Sequence, residues 1–255
     1  MASLTDKGGG ARAETVYLAG RYIKLQRGIS QSPWVIKGDG KSKRKSATSV
    51  EEEIARCIIP HFSPEDYKFS SSGREDIDVR MLGEGRPFVL EIIGPKCAPP
   101  SEAVMSRLER MTNEASEESV IVRNLRIVPK SYCAELHAGA KDKQKTYACV
   151  VWSKRAIVPS DLRGLEEKAK DLEIAQQTPV RVLHNRSQLV RSKMVHTCFC
   201  EYLNPHYFIM RVLTSAGTYV KEFVHGDLGR TSPSVAEILG TEAVIMQLDV
   251  EDLIM

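Results

Sequence analysis

The sequence predicts an α+β fold with a largely antiparallel central sheet. Runs of β-branched and aromatic residues with period-two alternation crowd the last third of the chain. Segments with helical spacing lie between other such runs, without the regular strand–helix–strand rhythm of a parallel sheet. The chain has 255 residues and no internal repeat, which is enough to bury a full hydrophobic core.

Period-two patterning predicts strands along the whole chain. Gly20 is expected to turn the chain after the first short strand, since glycine punctuates turns. Asn204 and Pro205 are expected to form the turn between two of the later strands. The stretch 38–46 (GDGKSKRKS) is interpreted as a basic, glycine-rich loop. We expect strands at 16–18, 120–128, 144–152, 181–184, 190–202, 206–213 and 244–250.

Apolar residues at helical spacing, together with capping residues, predict the helices. Ser49 and Glu52 form a capping box before the first helix, and Pro60 is expected to end it. Pro233 at the first helical position begins the last helix, and Gly240 closes it. We expect helices at 50–60, 101–114, 160–172, 218–228 and 233–239.

The composition is that of an ordinary globular protein, with 42% hydrophobic and 27% charged residues. The net charge of +3 does not by itself indicate nucleic acid, so a polyanion site must come from local clusters. The six cysteines form no CxxC pair and do not supply the ligands of a structural zinc site. We interpret them as reduced thiols in an intracellular protein. The sequence shows neither a signal segment nor a long apolar span, so no membrane partner is expected.

The stretch 69–90 concentrates charge beside glycines, which favours a turn or a strand end. Catalytic side chains concentrate on loops that a rigid scaffold holds. A solvated hairpin tip is the alternative interpretation, because most charge runs are solvated faces. The charged residues of the stretch include Arg74, Glu75, Asp76, Asp78 and Arg80.

A second candidate for chemistry lies at 218–230 (TYVKEFVHGDLGR). On a helix, Lys221 and His225 share a face at i, i+4 spacing. The alternative interpretation is an amphipathic helix with a solvated lysine and a surface histidine.

Three short motifs, in this order, resemble those of pseudouridine synthases. GRED is similar to their glycine-arginine-x-aspartate motif, KTY to a basic-x-tyrosine strand, and GTYVK to a third motif; they lie at 73–76, 145–147 and 217–221. Longer stretches at 19–34 and 221–231 resemble the archaeal and eukaryotic tRNA pseudouridine synthase family that modifies uridines 54 and 55 of the TΨC arm. The resemblance covers residues 16–252.

The resemblance implies the pseudouridine synthase fold, with an active-site cleft across a mixed, mainly antiparallel sheet. It implies an isomerisation that needs no cofactor and no metal. Asp76 is the expected catalytic carboxylate, Lys221 its cationic partner, and Tyr147 the ring that stacks on the flipped base. Asp78 is the rival carboxylate. Many synthases carry arginine where this chain has Lys221, and lysine offers a point charge rather than a fork.

The resemblance also implies contacts with tRNA, the expected partner. Leu228 is expected to form an apolar wall beside the uracil, and Arg74 to contact RNA or fill the gap left by the flipped base. Basic clusters are candidate phosphate contacts, which position RNA without reading its sequence; solvated loop charge is the alternative. These candidates are Lys41, Lys43, Arg44 and Arg186, with Arg181, Arg191 and Lys193.

Residues 1–14 are expected to be a flexible lead-in and 15–255 the catalytic domain, as a monomer in the nucleus or cytoplasm. We expect the family's N-terminal RNA-binding domain, with its cysteine-ligated zinc, to be absent. An inactive RNA-binding module is the alternative function. An Asp/His hydrolase using Asp76 and His225 ranks last, because the sequence supplies no nucleophile elbow.

Overall fold

The computed structural model describes residues 14–38 and 41–254. Its strands alternate irregularly with short helices along the chain. The strands are β1 (Val16–Lys24), β2 (Val35–Gly38), β3 (Lys41–Arg44), β4 (Asp66–Ser71), β5 (Val79–Ile93), β6 (Val120–Val128), β7 (Gln144–Ser153), β8 (Leu172–Gln177), β9 (Val190–Asn204), β10 (Tyr207–Thr214), β11 (Thr231–Ser232) and β12 (Ala243–Ile254). The helices are α1 (Val50–Phe62), α2 (Glu102–Ala115), α3 (Tyr132–Asp142), α4 (Pro159–Lys168), α5 (Val220–His225) and α6 (Val235–Leu239).

One ten-stranded sheet spans the described residues, and β2 and β3 form a separate hairpin. The strand order is β11-β8-β9-β10-β7-β12-β5-β1-β6, with β4 also paired to β5. The β12–β5 pair is parallel and the other pairs of this sheet are antiparallel. The predicted α+β class with a mainly antiparallel sheet is therefore confirmed.

The long strand β5 creates the opening for a site. On one edge, β5 pairs with β1 from Met81 to Ile92. Two shorter strands share its other edge. On the shared edge, β12 pairs with 79–81 and β4 pairs with 88–93. The loop 72–78 that joins β4 to β5 emerges at this break in pairing.

The core is continuous across the sheet. Helices α1 and α2 pack together and cover the β6 side, and α4, α5 and α6 contact the β9 and β12 side. Buried side chains such as Leu18, Ile54, Phe88, Phe208 and Phe223 have no exposed surface. Burial of an apolar side chain of this size stabilises a fold by about 1.5–3 kcal/mol, so the sheet is a rigid scaffold for the loops at its edges.

The predicted turn at Gly20 is wrong, because β1 continues through this residue to Lys24. A Cβ atom at this position would lie 2.9 Å from Phe88 and from Leu125. The glycine therefore permits close packing across the sheet rather than a turn.

The stretch 38–46 was also predicted incorrectly as a loop, because the β2–β3 hairpin pairs Val35 with Arg44. The strand expected at 181–184 is a 3₁₀ helix, Val180–Asn185. Its first backbone N–H donates to the carboxylate of Asp227 at 3.1 Å, which holds the segment away from the sheet ladder.

Helix ends account for most of the remaining differences. Helix α1 continues past Pro60 to Phe62, although its capping box forms as predicted, with the Glu52 N–H donating to Ser49 Oγ at 3.2 Å. The last helix begins at Val235 rather than at the preceding proline, with Ser234 as its N-cap. The helix expected at 160–172 ends at Lys168, and the one expected at 218–228 is shorter at both ends.

Candidate active site

The loop between β4 and β5 presents the carboxylate of Asp76 to solvent, with 41% of its side chain exposed. Its Oδ2 atom accepts a hydrogen bond from Nη1 of Arg181 at 3.0 Å. Nζ of Lys221 lies 3.3 Å from the same oxygen. Two cations from different elements, the 3₁₀ helix and α5, therefore converge on one carboxylate oxygen.

Lys221 also holds the second acidic residue of the loop. Its Nζ atom donates to both oxygens of Asp78, at 2.9 and 2.7 Å. Burial opposes ionisation of Asp78, but the hydrogen bond and the charge of Lys221 outweigh it, so the pKa of Asp78 lies below its ordinary value. The lysine is thus shared between two carboxylates, and it lies closer to Asp78 than to the expected partner, Asp76.

Arg181 lies between two carboxylates, and its predicted contact with phosphate stays a prediction. Its Nε atom donates at 2.7 Å to Glu222, whose side chain is only 1% exposed. Its guanidinium also lies 5.9 Å from the ring centroid of Tyr219. These contacts fix the orientation in which the guanidinium meets Asp76.

A buried polar network supports the loop from beneath. The Glu75 carboxylate accepts from Nε of Arg86 at 2.8 Å and from the Tyr22 hydroxyl at 2.9 Å. Gln31 donates to the Tyr22 hydroxyl at 2.7 Å and to the Gly73 carbonyl at 2.9 Å. Arg86 and the Glu75 carboxylate are at most 1% exposed. Buried charges are stable only when paired and hydrogen-bonded, as these are.

Lys24 fixes the backbone of the loop. Its ammonium is fully buried and donates to the Asp76 carbonyl at 3.1 Å and to the Ile29 carbonyl at 2.8 Å. Burial lowers its pKa, and the nearby carboxylates, Glu75 first, oppose that shift. The ammonium ties β1 to the peptide that carries the exposed carboxylate.

Tyr147 lies on β7 between Val212 of β10 and Val250 of β12. Burial raises the pKa of its hydroxyl to about 12; the charge of Asp76 adds to the increase and Arg86 opposes it. The phenol is therefore neutral at neutral pH. The charge of Asp76 acts on this hydroxyl, and the stacking role of the ring stays a prediction.

Leu228 is 95% exposed. It lies in a run of four left-handed residues, Gly226, Asp227, Leu228 and Gly229, with φ angles of 79°, 46°, 58° and 82°. Such angles are uncommon outside glycine. His225 accepts a hydrogen bond from the Asp227 N–H through Nδ1 at 3.0 Å, so its ring caps this turn. That contact gives no support to a hydrolase in which His225 is the base.

Arg74 extends from the same loop over an aromatic platform. Its guanidinium lies 5.6 Å from the ring centroid of Trp34, and Lys45 Nζ lies 3.9 Å from it. The indole is 36% exposed. Cation–π contacts orient both basic groups beside the cleft.

The other predicted phosphate contacts are dispersed. Lys43 is exposed on the hairpin, and the neighbouring Arg44 is paired to Glu52 by two hydrogen bonds of 2.9 and 2.6 Å. Arg186 is exposed in the segment that precedes β9. The side chain of Lys41 lies outside the described residues. Their roles in RNA binding stay predictions.

Across 14–38 and 41–254, no three His, Cys, Asp or Glu side chains are placed to hold a metal ion. No helix in this part of the chain has the length and apolar character needed to span a bilayer.

The sequence motifs identified the two loop carboxylates and Lys221. They did not identify the buried polar residues that hold the loop in place. The structure brings together Asp76, Asp78 and Lys221, and adds Arg181 and the buried network. Tyr147 lies on β7, and its place in the site stays a prediction. A signal was present, because Tyr22, Lys24 and Gln31 all belong to the long stretch at 19–34. Polar residues embedded in an apolar strand are a sign of a buried network.

The chain matches the family model described as "Pus10, C-terminal" over residues 17–253. It is 42% identical over 236 residues to the tRNA pseudouridine synthase Pus10 of Mus musculus, covering 92% of this chain and 44% of that protein. It is 37% identical over 238 residues to the tRNA pseudouridine synthase Pus10 of Pyrococcus furiosus, covering 92% of this chain and 56% of that protein.

The chain spans about half the length of the curated relatives that it matches. A solved structure described as "Crystal Structure of a Cbf5-Nop10-Gar1 Complex" aligns with a TM-score of 0.49 at 14% identity, over 92% of this chain and 48% of that chain. The sequence match carries the assignment. Because the family model covers nearly all described residues, the chain belongs to the Pus10 family, whose C-terminal region it matches.

Proposed function

We propose that this chain isomerises uridine to pseudouridine in the TΨC arm of tRNA, at position 54, position 55 or both. The observation that carries the proposal is the solvent-facing carboxylate of Asp76, with Arg181 at 3.0 Å and Lys221 at 3.3 Å. The names of the mouse and Pyrococcus relatives supply the reaction and the substrate class. This substrate would place the activity inside the cell, in the nucleus or cytoplasm.

The reaction detaches uracil from its ribose, turns it and rejoins it through carbon 5. It requires a carboxylate that stays ionised when bound RNA excludes water, since desolvation disfavours the charged form. Arg181 and Lys221 supply the opposite charge that offsets this cost. The carboxylate then acts either as a nucleophile toward the sugar or as a stabiliser of positive charge on it.

The target base must leave its stack to reach the carboxylate, at a cost of roughly a few kcal/mol. Tyr147 would offer its half-buried ring to the flipped base, and stacking on an aromatic ring returns about 1–3 kcal/mol. Leu228 is the exposed apolar side chain that would close over the other side of the base. Arg74, oriented on Trp34, would contact the RNA next to the flipped nucleotide.

The test is a single-turnover reaction of the chain in excess over an unmodified tRNA transcript, followed by mapping of pseudouridine at each uridine. We expect product at 54 or 55, and its loss from a transcript in which that uridine is replaced by cytidine. A transcript that binds but gains no pseudouridine at either position would overturn the proposal in favour of an inactive RNA-binding module.

A further inference from the structure

A second cation lies on the strand that carries Tyr147. Lys145 is on β7, directly opposite Thr214 of β10 and Leu253 of β12. Only 8% of its surface is exposed, and the two partners are buried as well. Its aliphatic stem therefore continues the apolar face of the sheet, with the ammonium at the end of that face.

The ammonium has no partner of opposite charge. Among the side chains described in 14–38 and 41–254, no carboxylate forms an ion pair with it and no acceptor takes a hydrogen bond from it. Among the described side chains, Nζ of Lys145 is not one of the fully buried polar atoms without a partner, so it keeps some contact with solvent. Burial of the rest of the side chain still disfavours the charged form. An anion bound at this position would offset that cost.

The charges around Lys145 are positive. Burial lowers its pKa to about 8, and the neighbouring Arg86 of β5 and Lys193 of β9 lower it further. Both neighbours have acceptors of their own, since Arg86 binds Glu75 and Lys193 Nζ donates to the Ala216 carbonyl at 2.6 Å. The position is thus both positive and open to a new acceptor.

Lys145 and Tyr147 are two residues apart on one strand, so their side chains leave the same face about 7 Å apart. That spacing is close to the width of a pyrimidine ring with its exocyclic oxygens. A base stacked on the ring of Tyr147 would therefore bring one edge toward the ammonium of Lys145.

We propose that Lys145 stabilises the negative charge that the uracil carries once it is detached from the ribose, an inference that rests on the proposed function. When the bond between C1′ and N1 breaks, its electron pair stays on the uracil and is delocalised over N1, O2 and O4. Asp76 either forms a bond to C1′ or faces the positive charge on it. Carbon 5 then donates an electron pair to C1′, and any bond to Asp76 breaks with its pair returning to the carboxylate. Carbon 5 loses its proton and N1 gains one, so the atoms are conserved. Lys145 keeps its protons throughout.

The burial of Lys145 favours a uracil oxygen over a phosphate as its partner. Phosphate contacts usually come from exposed basic side chains along the backbone track, such as Lys43 in this chain. A donor that is fixed before the reaction, in a site without water, stabilises developing charge most strongly. The burial of Lys145 between β10 and β12 limits the movement of its stem, and RNA that closes over it would exclude water.

The test compares wild type, Lys145→Met and Lys145→Arg in saturating single-turnover reactions between pH 6 and 10. The catalytically useful form of Lys145 is charged, so the wild-type rate should fall as the pH rises through about 8. Lys145→Arg should remove that fall, because arginine stays protonated. Lys145→Met should slow the reaction about 10²-fold near pH 7, with the gap closing at high pH. Tyr147, with a pKa of about 12, stays neutral across this range.

Parallel measurements of tRNA affinity against salt complete the design. We expect equal affinity and equal salt slope for Lys145→Met and wild type. A slope reduced by about one, with an unchanged saturated rate, would overturn the inference and make Lys145 a phosphate contact. An identical pH profile for Lys145→Arg and wild type would also overturn it, even if Lys145→Met did not fold. Absence of pseudouridine from the wild-type reaction would instead refute the proposed function.

Discussion

Glu75 and Asp76 are adjacent in one loop and have opposite surroundings. The Glu75 carboxylate is fully buried and bound to Arg86 and Tyr22. The Asp76 carboxylate is 41% exposed, and both of its cations approach the same oxygen, Oδ2. The same functional group thus anchors the loop in one residue and is the reactive group of the proposed function in the next.

The difference shows how a loop can be both fixed and reactive. Both oxygens of the Glu75 carboxylate accept hydrogen bonds, from Tyr22 on β1 and from Arg86 on β5. The backbone of the loop therefore has little freedom to move. The outer carboxylate keeps an open face toward the cleft. Because the inner contacts resist movement, the outer group can be held ready without being covered.

Removal of the outer charge should give the largest effect on chemistry. Asp76→Asn keeps the size of the side chain and should reduce the single-turnover rate by more than about 10³-fold, since a reactive group is lost. Its thermal midpoint and RNA affinity should stay close to wild type, because binding draws mainly on phosphates.

Asp78→Asn is the matched control, two residues away in the same loop, and its effect on the rate should be much smaller. A larger loss in Asp78→Asn than in Asp76→Asn would reverse the assignment of the two carboxylates.

Removal of the inner charge should act on stability first. Glu75→Gln leaves the buried guanidinium of Arg86 without its counter-ion, and breaking one side of a buried pair costs about 3–5 kcal/mol. For a chain of this size we expect the thermal midpoint to fall by roughly 10 °C.

The double variant Glu75→Gln/Arg86→Met should recover part of that loss, because it removes both charges. A single variant as stable as wild type would show that Arg86 is neutralised by another group.

Loss of the shared cation should give the smallest effect. In Lys221→Met the pKa of Asp78 should return toward its ordinary value, because Lys221 is the main group that lowers it. We expect the rate to fall about tenfold, since Arg181 still contacts Asp76.

A depressed carboxyl pKa contributes stability at neutral pH that is lost as the pH falls below the ordinary pKa of aspartate and through the lowered one. The difference in thermal midpoint between wild type and Lys221→Met should therefore shrink on acidification. Lys221→Arg, which keeps the charge, is the control. A midpoint difference that is independent of pH would mean that Lys221 acts through packing.

The fold was predictable where one local signal decides the structure. Residues 120–128 and the strand from Gln144 were placed correctly, since alternation has no strong rival there. The errors came from long-range effects that a local pattern does not contain. Gly20 was interpreted through its backbone freedom, whereas its role is set by Phe88 on another strand.

The candidate site shows the same division. Asp76, Tyr147 and Lys221 were found because motif order identifies them. The place of Arg181 was not predictable, because it depends on a 3₁₀ helix that brings the residue next to Glu222. Only the folded chain shows which of the many arginines meets the carboxylate.

Leu228 has two features that cost free energy in the unbound protein, its left-handed backbone and its exposed side chain. A left-handed backbone costs a non-glycine residue about 1–2 kcal/mol, and its exposed side chain adds a hydration cost. Burying a leucine contributes about 1.5–3 kcal/mol, so RNA that covers it in the proposed complex would recover much of this. Leu228→Gly would remove both costs from the free protein, and it would also remove the contact that the proposed complex gains.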